Sequence, residues 1–430
     1  MKVPAYVVPA AAVVAAALVC CSVGLAQTWY VTPGGTGDAP TIQAAADLAA
    51  AGDTIMLADG VFSGPGNAYV EFHGSAAILS ESRDPSACIV TTEGYESGDW
   101  AMFLFYDGDE FSVEGVTLDD RHCRMEYGID DGSASRVLFR NNVFLGTSLL
   151  LYHSGDIVIE DNIFTGFEAS WYLAVVDMRS SGALSRTVTV KGNTFRDISG
   201  MIAFGAVVLH ADGTSTVTAL IEGNRFENIT GGTAGHAMLD VARAGYADIY
   251  VTIAGNVFRD CGRPNGDDGV LLSNDGAYNS GWIDAWVSDN LFVRCSGSAL
   301  NVQAGSSTMI WGDVFNNTFT DNEIGVEQGP GNPAVLVRNC IFWYNRTYDI
   351  SGVSVWNVEC CDITDLGGWQ YDCFSADPLF CDPIHDNYRL DCRSPCVNVP
   401  GYGRVGAYGV GCGPSSVEPV TWGAIKAMYR

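Results

Sequence analysis

The chain has 430 residues, with 50 acidic against 22 basic side chains and a formal charge of −28. That excess repels nucleic acid and anionic membrane surfaces, so neither is an expected partner. The length would suit two or three average domains, but a chain built of repeats grows along one axis and escapes that expectation.

Residues 1–26 hold one Lys, a long Ala/Val run and the small-residue ending Gly24-Leu25-Ala26, the pattern of a secretory signal cleaved before Gln27. No later stretch is long and apolar enough to span a bilayer, so the expected location is outside the cell or on its surface, with no transmembrane segment after cleavage. In an oxidising compartment cysteines read as disulfides rather than zinc ligands. Without Cys20 and Cys21, 12 of the 14 cysteines remain, and eight of them fall between Cys340 and Cys412, which predicts a stapled C-terminal end.

Residues 27–52 read as an N-terminal cap. Within it, Ile42, Ala45, Ala46 and Ala49 share one face of a short helix that Gly52 stops.

From 53 to 359 the chain repeats itself. The triplet Asn-x-Phe pairs Asn142 with Phe144, Asn162 with Phe164, Asn193 with Phe195, Asn224 with Phe226, Asn256 with Phe258, Asn290 with Phe292 and Asn317 with Phe319. A last variant, Asn339-Cys340-Ile341-Phe342, keeps the Phe, and successive copies lie 20 to 34 residues apart.

Counting back from each Phe gives columns. Five positions upstream stand Phe139, Ile159, Val190, Ile221, Ile253, Val287, Val314 and Val337. Seven upstream the residues are again apolar or small, a period of two that marks a strand with one buried face. Three upstream the column narrows to Asn141, Asp161, Gly192, Gly223, Gly255, Asp289, Asn316 and Asn339, the types that tolerate a left-handed backbone. Each strand should therefore end in a sharp bend. The repeated Asn follows, placed to bond backbone and its own counterpart in the next copy. The Phe side chains should stack as a ladder, with Phe167, Ile198, Ile229, Cys261 and Cys295 inward three residues later.

A second apolar segment recurs after each Phe, as in Ala206–Leu209 and Gly269–Leu272, and supplies a second sheet. Earlier coils continue through Thr54–Leu57, Ala101–Phe105 and Phe111–Leu118, with Gly115 in the bend column. Units this short cannot bury their own faces and must stack. The expected fold is all-β, a single-stranded parallel solenoid. Residues 360–413 form a Cys-rich C-terminal cap and 414–430 a tail. Cys261 and Cys295 share a column on adjacent coils, compatible with a disulfide or with two stacked thiols.

With its interior Asn and aromatic ladders, the chain resembles the right-handed parallel β-helices of the pectin-lyase-like superfamily, in the form found in secreted bacterial proteins. The opening Trp29 to Phe62 resembles the cap of pectinesterases, and the resemblance covers roughly residues 28 to 412. It implies a fold and no single activity, because that fold hosts lyases, hydrolases, esterases, adhesins and phage tailspikes.

The chemistry of the family's enzymes is mostly missing. A lyase needs an Arg or Lys base and a cation at the uronate carboxyl. In the core the only lysine, Lys191, sits in a variable column beside Glu160 and Glu222, a setting for a surface ion pair. Asp267-Asp268 is similar to the paired aspartates of polygalacturonases, but Gly235-His236 precedes the pair and no Arg-Ile-Lys follows, so a turn is the expectation.

The second sheet aligns Asp177, Arg179, His210, Asp240 and Arg243 from three consecutive coils, an outward patch for sugar binding or acid/base work if all five face solvent. Trp171 and Tyr172 are candidates to stack on pyranose rings. No metal site or cofactor is expected; calcium is the ion an acidic surface suggests, and no motif holds it. The reading is a monomeric polysaccharide-binding or structural protein, with a polysaccharide lyase or glycoside hydrolase acting on acidic polymer, or an adhesin, as alternatives.

Overall fold

The computed structural model describes residues 26–413 apart from the short segments 95–100, 122–126, 132–134, 153–154, 168–171, 200–201, 231–236, 263–267, 275–280, 306–308, 330, 332, 355–356, 367 and 369–370. The expected signal segment, except residue 26, and residues 414–430 lie outside the described residues. The chain winds as an all-β parallel solenoid.

Among the described residues, three parallel sheets of 13, 12 and 11 strands run the length of the solenoid. Sheet A carries the strand before each Asn, for example Ser185–Lys191. Sheet B carries the Phe itself, as in Thr194–Ile198, and sheet C carries the second apolar segment, as in Ile202–Ala211. The sequence columns predict two sheets. The third arises because the residues around each Phe pair in register with the next coil rather than merely turning a corner, Phe195 with Phe226 and Ile198 with Ile229.

The bend column behaves as its chemistry requires. Asn141, Asp161, Gly192, Gly223, Gly255, Asp289, Asn316 and Asn339 all have φ between 51° and 67°, the region that costs an ordinary side chain free energy. A second left-handed column, two residues after each Phe, separates sheet B from sheet C: Gly146, Gly166, Asp197, Asn228, Asp260, Arg294, Asp321 and Tyr344, with φ between 52° and 74°.

Inside the first bend the asparagines form a continuous ladder. The Asn162 Oδ1 accepts from the backbone N–H and the Nδ2 of Asn142 at 2.9 and 3.0 Å, and the pattern continues through Asn193, Asn224, Asn256, Asn290 and Asn317. Each Nδ2 also donates to a sheet A carbonyl of the preceding coil, such as Asn193 to Ile159. Buried amides are thus satisfied where no water reaches. Cys340 and Cys361 take over the ladder position at its end, their thiols directed at Val314 O and Val337 O. Beside this ladder Phe144, Phe164, Phe195, Phe226, Phe258, Phe292, Phe319 and Phe342 stack with centroids 4.6 to 4.9 Å apart and planes within 8°. The spacing equals the strand separation, so the fold sets it.

The helix Ile42–Ala46 is N-capped by Thr41 and buries Ile42 and Ala45 at the N-terminal end, where open strand edges need cover. The C-terminal module differs from expectation. It carries one disulfide, Cys381–Cys412, while Cys360, Cys361, Cys373, Cys392 and Cys396 are free thiols. Cys361 is spent on the interior ladder, and Cys396 donates to the buried carboxylate of Asp362 at 3.2 Å. Instead of sitting only on the end, the module also folds back along the outside of sheet B. There Tyr388 packs on Leu291 and Val293, and Asp386 binds Arg259 and Arg294 at 2.8 and 2.9 Å. Cys261 and Cys295 are unbonded and buried, each thiol directed at a carbonyl of the previous coil. Burial pushes the Cys261 thiol up to about 12.

Candidate functional site

The outward rows of sheet A change character along the solenoid. On the earlier coils they are charged and paired, with Arg136 on Glu110 at 2.9 Å, Arg140 on Glu160 at 2.8 Å and Lys191 on Glu222 at 2.7 Å. The Glu222 partner raises the Lys191 ammonium above its ordinary pKa, the opposite of what a catalytic base needs.

Three strands further on, Asp248–Ala254, Trp282–Ser288 and Met309–Phe315, the same face becomes aromatic. Alternate residues point outward, and the aromatic ones among them are Tyr250, Trp282, Trp286, Trp311 and Phe315. Trp286 is 49% and Trp311 45% exposed, unusual for side chains with so much apolar area to bury. Tyr250 and Trp282 meet edge to face at 6.4 Å, Trp282 lies 6.2 Å from Trp311, and Trp286 and Phe315 meet at 4.8 Å.

Carboxylates alternate with the rings. Asp284 stands in register between Tyr250 and Trp311, and Asp313 between Trp286 and Leu336. Asp313 is held by Arg338 at 2.6 Å. Two strand spacings by four residues make a flat face of about 10 by 13 Å.

Such a face offers rings that stack on the C–H faces of sugars and acceptors for hydroxyl groups between them. Asp284 and Asp313 lie diagonally across adjacent strands. Asp284 is exposed and Asp313 is tied to a guanidinium.

Of the five residues expected to form one patch on sheet C, Asp177, Arg179, His210 and Asp240 share one face by register and Arg243 does not. Asp177 and Arg179 pair in a fork at 2.9 Å, Tyr152 donates to the same carboxylate at 3.0 Å, and His210 is the register neighbour of Arg179. Asp240 shares the row of Asp177 two strands away, with Val208 between them. That row is not a solvent face: Asp177 is 1% exposed, and Leu150, Val208 and Leu271 are buried in it.

Arg243 is a correction. It lies an odd number of residues from Asp240, so strand alternation turns it to the interior, in register with Ala211 and Asn274. There it is fully buried and donates to the carbonyls of Gly245 and Ala247 at 3.0 and 3.1 Å. Burial pulls its guanidinium below the ordinary value.

Asp268 belongs to a strand, Asp268–Asn274, rather than a turn. Its carboxylate accepts from Ser298 N and Asn301 Nδ2 at 2.9 and 2.8 Å, a structural role. Asp267, Gly235, His236, Trp171 and the side chain of Tyr172 lie outside the described residues. Among the described residues no group of three or more His, Cys, Asp or Glu is placed to hold a metal ion, and no helix is long and apolar enough to cross a membrane.

The aromatic face escaped the sequence reading, although a signal existed. Tyr250, Asp284 and Trp311 stand eight positions before their Phe, and Trp286 and Asp313 six before, in the outward parity of the columns that define the strand. Comparison of the chain with protein-family models, with curated proteins and with solved structures finds no match.

Proposed function

We propose that this protein is a non-catalytic, extracellular polysaccharide-binding solenoid that holds an uncharged glycan on the aromatic face of sheet A. The observation that carries this reading is the exposure of Tyr250, Trp286 and Trp311 on one flat face, with half-buried Trp282 beside them and Asp284 and Asp313 interleaved. Monomeric proteins seldom leave a contiguous aromatic patch uncovered without an occupant. A second copy of the chain fits poorly, since apposing two such faces would bring carboxylate against carboxylate. A polyuronate meets the same carboxylates and a chain of net charge −28. An uncharged sugar polymer satisfies both kinds of group, carbon faces on rings and hydroxyls on carboxylates. The leader-like residues 1–26 support the extracellular location.

The test is retention of the purified protein on uncharged polysaccharides beside polygalacturonate and alginate, with parallel assays for unsaturated product and new reducing ends. Retention on the uncharged polymers without turnover supports the reading. Turnover of any polymer, or retention unchanged in Trp286→Ala and Trp311→Ala, overturns it.

A further inference from the structure

A groove of about 590 Å³ lies where the C-terminal module meets the last coils of sheet B, and its lining includes none of the aromatic residues of the sheet A face. One wall is Trp343 and Tyr344, whose rings meet at 4.9 Å and 58°. The facing wall comes from the module and includes Phe380, beside the Cys381–Cys412 disulfide.

Tyr344 occupies the second left-handed column at φ 57°, a position otherwise filled by Gly, Asp or Asn except at Arg294. Arg294 has an evident reason, since it binds Asp260 and Asp386 and so anchors the module. Tyr344 has no comparable side-chain anchor: it is 62% exposed, its ring meets that of Trp343, and it is its backbone N–H that is held, donating to Thr364 Oγ1 at 3.0 Å. A bulky side chain kept in a disfavoured backbone region, and pointed at a groove, marks a place where strain is retained for use. Leu379, with φ 51°, is a second such residue lining the same groove.

The charge of the lining then selects the ligand. Three carboxylates, Asp321, Asp377 and Asp391, face one guanidinium, Arg393. Arg393 is taken up by Asp391 through a fork at 2.8 and 3.0 Å, and among the described residues Asp321 and Asp377 have no ion-pair partner, each accepting one neutral hydrogen bond, from Thr320 Oγ1 at 3.1 Å and Leu379 N at 2.9 Å. Aromatic faces attract cations through the ring quadrupole, and carboxylates reinforce that preference.

We propose that this groove binds an organic ammonium group, its carbons against Trp343 and Tyr344 and its charge against Asp321 and Asp377. The site is independent of the glycan face, and neither needs the other. The probe is choline, titrated calorimetrically into the full chain at constant ionic strength, beside its uncharged carbon isostere dimethylbutanol. Choline is expected to saturate one site and to bind about tenfold more tightly than the isostere, the factor a desolvated cation–π contact supplies.

Tyr344→Gly separates binding from folding. Glycine suits the left-handed position, so this variant is expected to melt no lower than the parent while losing choline. Asp321→Asn is expected to weaken choline and leave the isostere unchanged. Equal binding of choline and isostere, no saturable choline binding, or full binding by Tyr344→Gly overturns the proposal.

Discussion

The side-chain oxygen of Asn256 accepts two hydrogen bonds from Asn224, one from its backbone N–H at 2.8 Å and one from its Nδ2 at 3.0 Å. Asn224 offers the same oxygen to Asn193 and donates to Val190 O at 2.8 Å. Replacing it by Ala strands two donors of Asn193 and one acceptor in a dry interior. Asn224→Ala is expected to lower unfolding stability by about 3 kcal/mol or more, from unsatisfied groups at 1–3 kcal/mol each. Equilibrium denaturation measures it; a loss under 1 kcal/mol would remove the ladder from the account of what holds the coils together.

The Phe ladder makes a parallel claim about packing. Phe226 sits between Phe195 and Phe258 at 4.9 and 4.7 Å and is fully buried. Phe226→Ala leaves a cavity in a stack that cannot collapse along its axis, at an expected cost of about 3–5 kcal/mol. Trp286→Ala, on the exposed face, is expected to change stability by no more than about 0.5 kcal/mol. Thermal melts of the two variants side by side distinguish interior from surface.

Asp362 gives a pH dependence. It is fully buried at the end of sheet B, and desolvation raises its carboxyl to about 6 despite hydrogen bonds from Ala376 N and the Cys396 thiol. The folded state therefore binds this proton more tightly than the unfolded state, so its contribution is favourable below about pH 4 and is lost as pH rises through about 6. The loss is on the order of 3 kcal/mol, two pKa steps at 1.36 kcal/mol each. Asp362→Asn is expected to match the wild type near pH 4 and to melt higher above pH 6. Identical melting curves for the two proteins at pH 7 would refute the assignment.

Peptide mapping without reduction is expected to recover Cys381 linked to Cys412, with Cys261 and Cys295 as unlinked thiols. Their raised pKa also predicts that neither is alkylated in the native state near neutral pH. A Cys261–Cys295 crosslink in the map would contradict the packing described for that column.

The parts of this fold that were legible in the sequence are those decided within a few residues. A left-handed bend admits Gly, Asn and Asp and little else, so the column from Asn141 to Asn339 showed itself, and the Asn and Phe beside it followed by register. The same logic explains the second bend column, where Asp197, Asn228 and Asp260 carried the signal and Arg294 and Tyr344 hid it.

Legibility ended where facing had to be inferred at a distance. Arg243 was grouped with Asp240 by coil, but alternation turns it inward. The aromatic face joins Tyr250, Trp286 and Trp311 from three coils, and only the pairing of sheet A makes them neighbours. Nor was the cysteine count a guide to disulfides, since Cys340 and Cys361 serve as the thiol end of the asparagine ladder.

The most direct test of the functional claim is the affinity of the wild type and of Trp286→Ala/Trp311→Ala for an uncharged polysaccharide, with the melting temperature of both recorded. The account predicts measurable binding by the wild type and at least about a tenfold loss in the double variant, the weight of two central aromatic contacts, with melting unchanged. Equal affinity in the two proteins, or tighter binding of polygalacturonate than of any uncharged polymer, would contradict it.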